Sequence, residues 1–126
     1  MAKISLTFVL FVLLGKCCLI TVKVGDTVQD KHNQACNNGC NLYFEPGIHT
    51  TMNRLGCNWE GNETHLIEIY GDSRYTTTLY RPNRLQNLMD PYGTYFSIHD
   101  LELKGGSFGL RFEKNTTYSR FYNLII

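Results

Sequence analysis

No uninterrupted apolar run in this chain reaches the length of a membrane span. The longest, Ile4–Leu14, holds 11 residues, ISLTFVLFVLL, where a span needs about 20. Charge of one sign is lacking too. Twelve basic and eleven acidic residues leave a net charge of +1, which excludes the electrostatic footprint of a nucleic-acid or anionic-lipid binder. Proline is scarce, and no Ser- or Pro-rich stretch marks a linker or a low-complexity segment. A zinc site is disfavoured as well: Cys36-x-x-x-Cys40 has no second Cys or His pair at ligand spacing.

What is present starts with a targeting signal. Met1-Ala2-Lys3 supplies one positive charge ahead of the 11-residue run, the pattern of a secretory signal peptide. Gly15 and Cys17 are small enough for the −3 and −1 positions of a cleavage site, which places the cut near Cys17 and makes 1–17 the signal peptide. The rival is an uncleaved anchor, because CCLITV after Lys16 prolongs the apolar stretch. Cleavage leaves roughly 105 residues, one small domain. Two triplets match the N-glycan acceptor, Asn62-Glu63-Thr64 and Asn115-Thr116-Thr117. Cysteines stand at 17, 18, 36, 40 and 57. A cut after Cys17 leaves four and allows two bridges; loss of Cys18 leaves one unpaired. A bridge from Cys57 to Cys36 or Cys40 is expected, with a buried free thiol as the alternative. Signal, sequons and cysteines together imply a secreted, extracellular glycoprotein.

The strongest internal pattern lies near the end. Ile98-His99-Asp100-Leu101-Glu102-Leu103 returns 23 residues later as Phe121-Tyr122-Asn123-Leu124-Ile125-Ile126. The phrase reads as a strand, with Ile98, Leu101 and Leu103 facing in around a polar kink at His99-Asp100. A strand that recurs at this interval is the mark of a stacked architecture of parallel strands. Further strands are expected over 40–45, 64–70, 75–81, 95–104, 108–112 and 120–126. Val24 to Ala35 reads as a short helix, capped by Asp26 or Thr27 and stopped by Asn37-Asn38-Gly39. Ile67-Glu68-Ile69 follows Leu42-Tyr43-Phe44 by 25 residues and precedes Leu101-Glu102-Leu103 by 34. A period of 23 to 25 with one insertion of about ten residues, a side loop around Arg84 to Tyr92, accounts for these spacings.

These phrases, in order, resemble the right-handed parallel β-helix family with the pectin-lyase-like fold. Thr27-Val28-Gln29-Asp30 through Gly39 to Leu42-Tyr43-Phe44-Glu45-Pro46-Gly47-Ile48-His49 is similar to that family's opening. Ile67-Glu68-Ile69-Tyr70-Gly71-Asp72 with Thr77-Thr78-Leu79 looks like its next coil, and 96–112 and 119–126 look like later ones. The resemblance implies an all-β solenoid of few coils over 24–126, with a short N-terminal capping helix after the signal peptide and an incomplete C-terminal end. It also implies a structural corner role for Asp100 and Asn123, whose short polar side chains tolerate left-handed backbone.

The family's enzymes act on acidic polysaccharides, yet their motif residues are missing. No N-T-D, D-D or G-H-G phrase occurs, Gly106–Phe112 lacks the Gln and Asp of pectinesterase-like members, and Asp72, Asp90 and Asp100 are scattered rather than clustered for calcium. His99-Asp100 has the composition of an acid/base pair, but strand neighbours point to opposite faces. Arg74, Arg81 and Arg111, near Tyr75, Tyr80 and Phe108, suit acidic sugars through charge and stacking. The bland reading of the same residues is a solvated strand face. The function expected is a secreted, non-catalytic module contacting polysaccharide or cell-surface glycans through Arg74, Tyr75, Tyr80, Arg81 and Arg111. The alternative is the N-terminal fragment of a pectate lyase, polygalacturonase or pectinesterase whose catalytic coils lie beyond residue 126. No cofactor, metal, nucleic acid or, after signal cleavage, membrane partner is expected. Self-association is expected through an open end bearing Phe121, Leu124 and Ile126.

Overall fold

The computed structural model describes residues 18–112 and 116–126. The expected signal peptide, 1–17, and the sequon residue Asn115 lie outside the described residues. The elements run β1 (Leu19–Val22), α1 (Val28–Asn38), β2 (Asn41–Phe44), β3 (Gly47–Thr50), β4 (Leu55–Glu60), β5 (Ile67–Gly71), β6 (Thr77–Arg81), β7 (Met89–Thr94), β8 (Phe96–Gly105), β9 (Thr116–Thr117) and β10 (Arg120–Ile125).

Helix α1 starts at Val28 after Thr27, one of the two expected caps, and runs to Asn38, three residues past Ala35. It buries Val28, His32 and Ala35, spaced to share one face. Gly39 ends it in the left-handed conformation (φ 64°), and the Cys40 N–H donates to the Ala35 carbonyl at 2.8 Å. That geometry satisfies carbonyls the last turn leaves open.

All strand pairings between named strands are parallel. The larger sheet has seven strands in the order β1-β2-β5-β8-β6-β3, with β10 on the other edge of β8; the smaller is β4-β7-β9. Strand β8 is long enough to pair β5 along its first half and β6 along its second. The 23-residue repeat is met as register: Phe121 lies opposite Ile98 and Leu124 opposite Leu101. Ile98, Leu101 and Leu103 are all buried, as the kinked pattern requires.

The architecture drawn from that repeat is corrected. The described residues do not form an all-β right-handed parallel β-helix; they form a mixed α/β fold, with one helix and parallel strands in two sheets of unequal size. One reason is the helix, whose buried face is part of the common core and whose His32 ring meets Trp59 of β4 edge-on at 5.2 Å. The other is spacing. Paired residues stand 27 apart at Leu42–Ile69 and 34 apart at Leu55–Met89, so no single period runs through the chain. The residues read as a side loop, 84–92, run into β7, which starts at Met89, and the expected strand at 108–112 is absent, leaving only a bridge from Leu110 to Met89.

Disulfides join Cys18 to Cys40 and Cys36 to Cys57, so the bridge expected at Cys57 goes to Cys36 and Cys40 is taken by Cys18. Each closes a loop of about 20 residues, worth about 3 kcal/mol on the chain-entropy account. Among the described residues no helix is long and apolar enough to cross a membrane.

Burial lowers the pKa of His32, against a smaller opposing effect of its Asn33 hydrogen bond. The folded state therefore holds a neutral ring where the unfolded chain takes up a proton below about 6.5. Stability contributed by this site is present above that value and is lost as pH falls toward the folded pKa. Denaturant titrations at pH 7.5 and 5 are expected to show this loss, with a slope of at most about 1.4 kcal/mol per pH unit. A His32→Phe variant is expected to flatten it.

Candidate functional site

Parallel pairing in register stacks equivalent positions on one another. On the outer face of the larger sheet this gives one column of Tyr43, Tyr70, His99 and Tyr122, contributed by β2, β5, β8 and β10. Their rings are in contact: Tyr43–Tyr70 at 5.1 Å, Tyr70–His99 stacked at 5.2 Å, and His99–Tyr122 stacked at 4.5 Å. The two inner rings, Tyr70 and His99, have a ring neighbour on either side, so these two present their edges to the outside. A second outward column beside it places Glu68, Ser97 and Arg120 side by side.

His99 is the centre of this face. Its Nε2 lies 3.2 Å from Glu68 Oε1 and its Nδ1 2.5 Å from Asp100 Oδ2. Each ring nitrogen thus faces one carboxylate. The expectation that His99 and Asp100 face opposite ways is corrected. Asp100 has φ 57°, outside strand geometry, and this turns its carboxylate back to the ring. Asn123, its counterpart in the repeat, has φ 51°. Burial raises the Tyr70 pKa, with Glu68 and Tyr43 adding to it. Burial, Glu68 and Asp100 raise that of Tyr122 against an opposing effect of Arg120. Both phenols thus stay protonated and able to donate at neutral pH. Ser97, on the same face, is fully buried, so its hydroxyl is not open to a substrate.

The five residues expected to contact ligand are not gathered together. Arg74 donates to the Tyr75 hydroxyl at 2.8 Å and lies over that ring, a local pair in the turn between β5 and β6. Tyr80 faces Lys104, and Arg111 is exposed beyond β8. Arg81 is buried: it donates to the Asn87 carbonyl at 2.7 Å and to Gln86 Oε1 at 3.3 Å, fastening the 82–88 loop. Asn87 in turn donates to Asp90, whose carboxylate faces Arg54 at 3.3 Å. This cluster is internal scaffolding.

A second feature lies where β8 and β10 begin. Tyr95 and Tyr118, again 23 apart, stack at 4.8 Å with ring planes 8° from parallel. Both have positive φ, 53° and 49°, a strained state for an aromatic residue. With Asn62, Glu63, Leu66 and Arg120 they line a cleft of about 440 Å³. No group of three or more His, Cys, Asp or Glu side chains able to hold a metal ion occurs among the described residues.

Sequence reasoning missed Tyr43, Glu68, Tyr70, Tyr95, Tyr118 and Tyr122 as site residues. The 23-residue offset carries a signal for three of them, since it matches Tyr118 to Tyr95 and Tyr122 to His99. The contributions of the two polar clusters should differ. His99→Phe keeps the stack, and the half-exposed Glu68 and Asp100 can rehydrate, so the loss is expected near 1 kcal/mol. Arg81→Ala leaves buried acceptors without a donor, and about 3 kcal/mol is expected. Urea unfolding of both variants checks the order.

Compared with known proteins, the chain matches no family model, no curated protein and no solved structure. The likeness to pectin-lyase-like proteins thus rests on the short phrases that suggested it.

Proposed function

We propose that this chain is an exported, disulfide-braced module that contacts neutral carbohydrate without catalysis. The contact surface in this reading is the outer face of the larger sheet. The observation that carries it is the column Tyr43, Tyr70, His99 and Tyr122 beside the Glu68 and Asp100 carboxylates. Adjacent strands lie about 4.8 Å apart, so the column repeats hydrogen-bonding groups at that interval. Protonated phenols donate and accept, and carboxylates accept, which is the chemistry that hydroxyl-rich ligands need. The same carboxylates repel an anionic polymer, so the acidic polysaccharides first considered fit this face poorly. A non-catalytic role is supported by His99, whose ring nitrogens both already face carboxylates. The two bridges and the two sequons support an oxidising, exported setting.

Affinity electrophoresis against neutral β-glucan and mannan, with polygalacturonate as the anionic comparison, tests the reading. Retardation by a neutral polymer is expected, weakened about tenfold in Tyr122→Ala and in Glu68→Gln, the scale of one charge-assisted hydrogen bond. No retardation by either neutral polymer, or retardation unchanged in both variants, counts against it. Release of new reducing ends from any of the three polymers would replace the non-catalytic reading.

A further inference from the structure

We infer that the N-linked glycan accepted by Asn62 docks on its own protein, with its first N-acetylglucosamine against the exposed face of Tyr118. The inference rests on the exported setting proposed above but concerns a different surface, the cleft at the start of β8 and β10.

Three observations converge on it. The first is how Asn62 is held. Its Oδ1 accepts from the Thr64 N–H at 2.9 Å, the Thr64 hydroxyl at 2.7 Å and the His65 N–H at 2.9 Å. The side chain is thereby fixed through its oxygen, while among the described residues its Nδ2 has no acceptor and the residue is exposed. The second is position: Asn62 is itself part of the cleft lining. A sugar attached to Nδ2 starts at the cleft, so its ordering requires no reach across the surface. The third is the opposite wall. Tyr95 covers one face of Tyr118, yet Tyr118 remains 72% exposed, leaving its other face open. An aromatic face held parallel to a rigid partner suits the C–H-bearing face of a sugar ring, and Arg120 and Glu63 beside it can bond the sugar's hydroxyls and acetamido group.

Attachment follows the usual transfer from a lipid-diphosphate-linked oligosaccharide. The Asn62 Nδ2–C1 bond forms as the C1–oxygen bond to the diphosphate breaks. The leaving diphosphate keeps the electron pair, and the amide nitrogen gives up one proton. No oxidant or reductant takes part.

The full chain, in an Asn115→Gln background so that one sequon remains, is expressed in a eukaryotic secretory host. Peptide mass mapping is expected to find Asn62 modified. Proton NMR is expected to place the acetamido methyl of the first sugar upfield, within the ring current of Tyr118, and to return it to its free position in Tyr118→Ala. Native-state removal by peptide N-glycosidase is expected to be about fivefold faster in Tyr118→Ala, the scale of burying roughly 40 Å² of apolar surface. Tyr118→Phe keeps the ring and is expected to match the parent, and after denaturation all three are expected to be cleaved alike. A chain that is not exported overturns the setting and this inference with it. An exported chain unmodified at Asn62 overturns the inference alone. So does a modified chain whose methyl resonance and cleavage rate are indifferent to Tyr118→Ala.

Discussion

Register between parallel strands is the constraint on which the rest of the molecule depends. Each strand is laid on its partner in the same direction, so a residue on one strand meets the equivalent residue on the next. Inside, this sets Leu42, Ile69, Ile98 and Phe121 side by side across four strands. In the smaller sheet it sets Leu55 beside Met89 and Trp59 beside Gly93. Gly93 has no choice of side chain: a Cβ there would sit 2.1 Å from the Trp59 carbonyl oxygen. Outside, the same alignment gathers Tyr43, Tyr70, His99 and Tyr122 from four strands spread over 80 positions of the chain. The candidate contact face is thus a product of the ladder, with no loop needed to assemble it.

The second constraint is the bend inside β8. One strand serves two neighbours, β5 and β6, because its path turns at Asp100. The left-handed residue shifts the alternation by one, so that Ile98 and Leu101, an odd number apart, both reach the core. Aspartate and asparagine tolerate this backbone better than most residues. The bend also returns the Asp100 carboxylate to His99, which links the shape of the sheet to the charge on its face. On the other side of the bend, Arg81 holds the 82–88 loop against the end of β6.

Much of this was legible in the residues and some was not, for physical reasons. Strand alternation and the 23-residue repeat show β8 and β10, and their register follows directly. The pairing of β2 with β5 is harder. The spacing suggested Leu42 opposite Ile67, whereas Leu42 lies opposite Ile69. A slip of two residues keeps every side chain on its face, so alternation cannot detect it. Strand β4 alternates cleanly, with Leu55, Cys57 and Trp59 inward, but Gly56 and Asn58 dilute its propensity. Strand β7 carries Pro91 and Gly93, which read as breakers. Yet Pro91 stands opposite Cys57 in an unbroken register of β7 with β4, so a residue that cannot donate still holds a strand position. Of the candidate site, His99 and Asp100 were visible, but the contact between them depends on a backbone angle that composition does not encode. The tyrosines were overlooked because each is unremarkable alone and gains meaning only when strands align.

The two disulfides share a short stretch of chain, with Cys36 in the last turn of α1 and Cys40 just past Gly39. Had the helix continued, two cysteines four apart would have faced the same way. The left-handed turn at Gly39 separates them, one toward β4 and the other toward the segment before β1. Four cysteines can be joined in three ways, and the other two ways give both Cys36 and Cys40 the wrong partner. This one glycine therefore acts as a sorting element, giving each of two nearby cysteines its own direction and so its own partner.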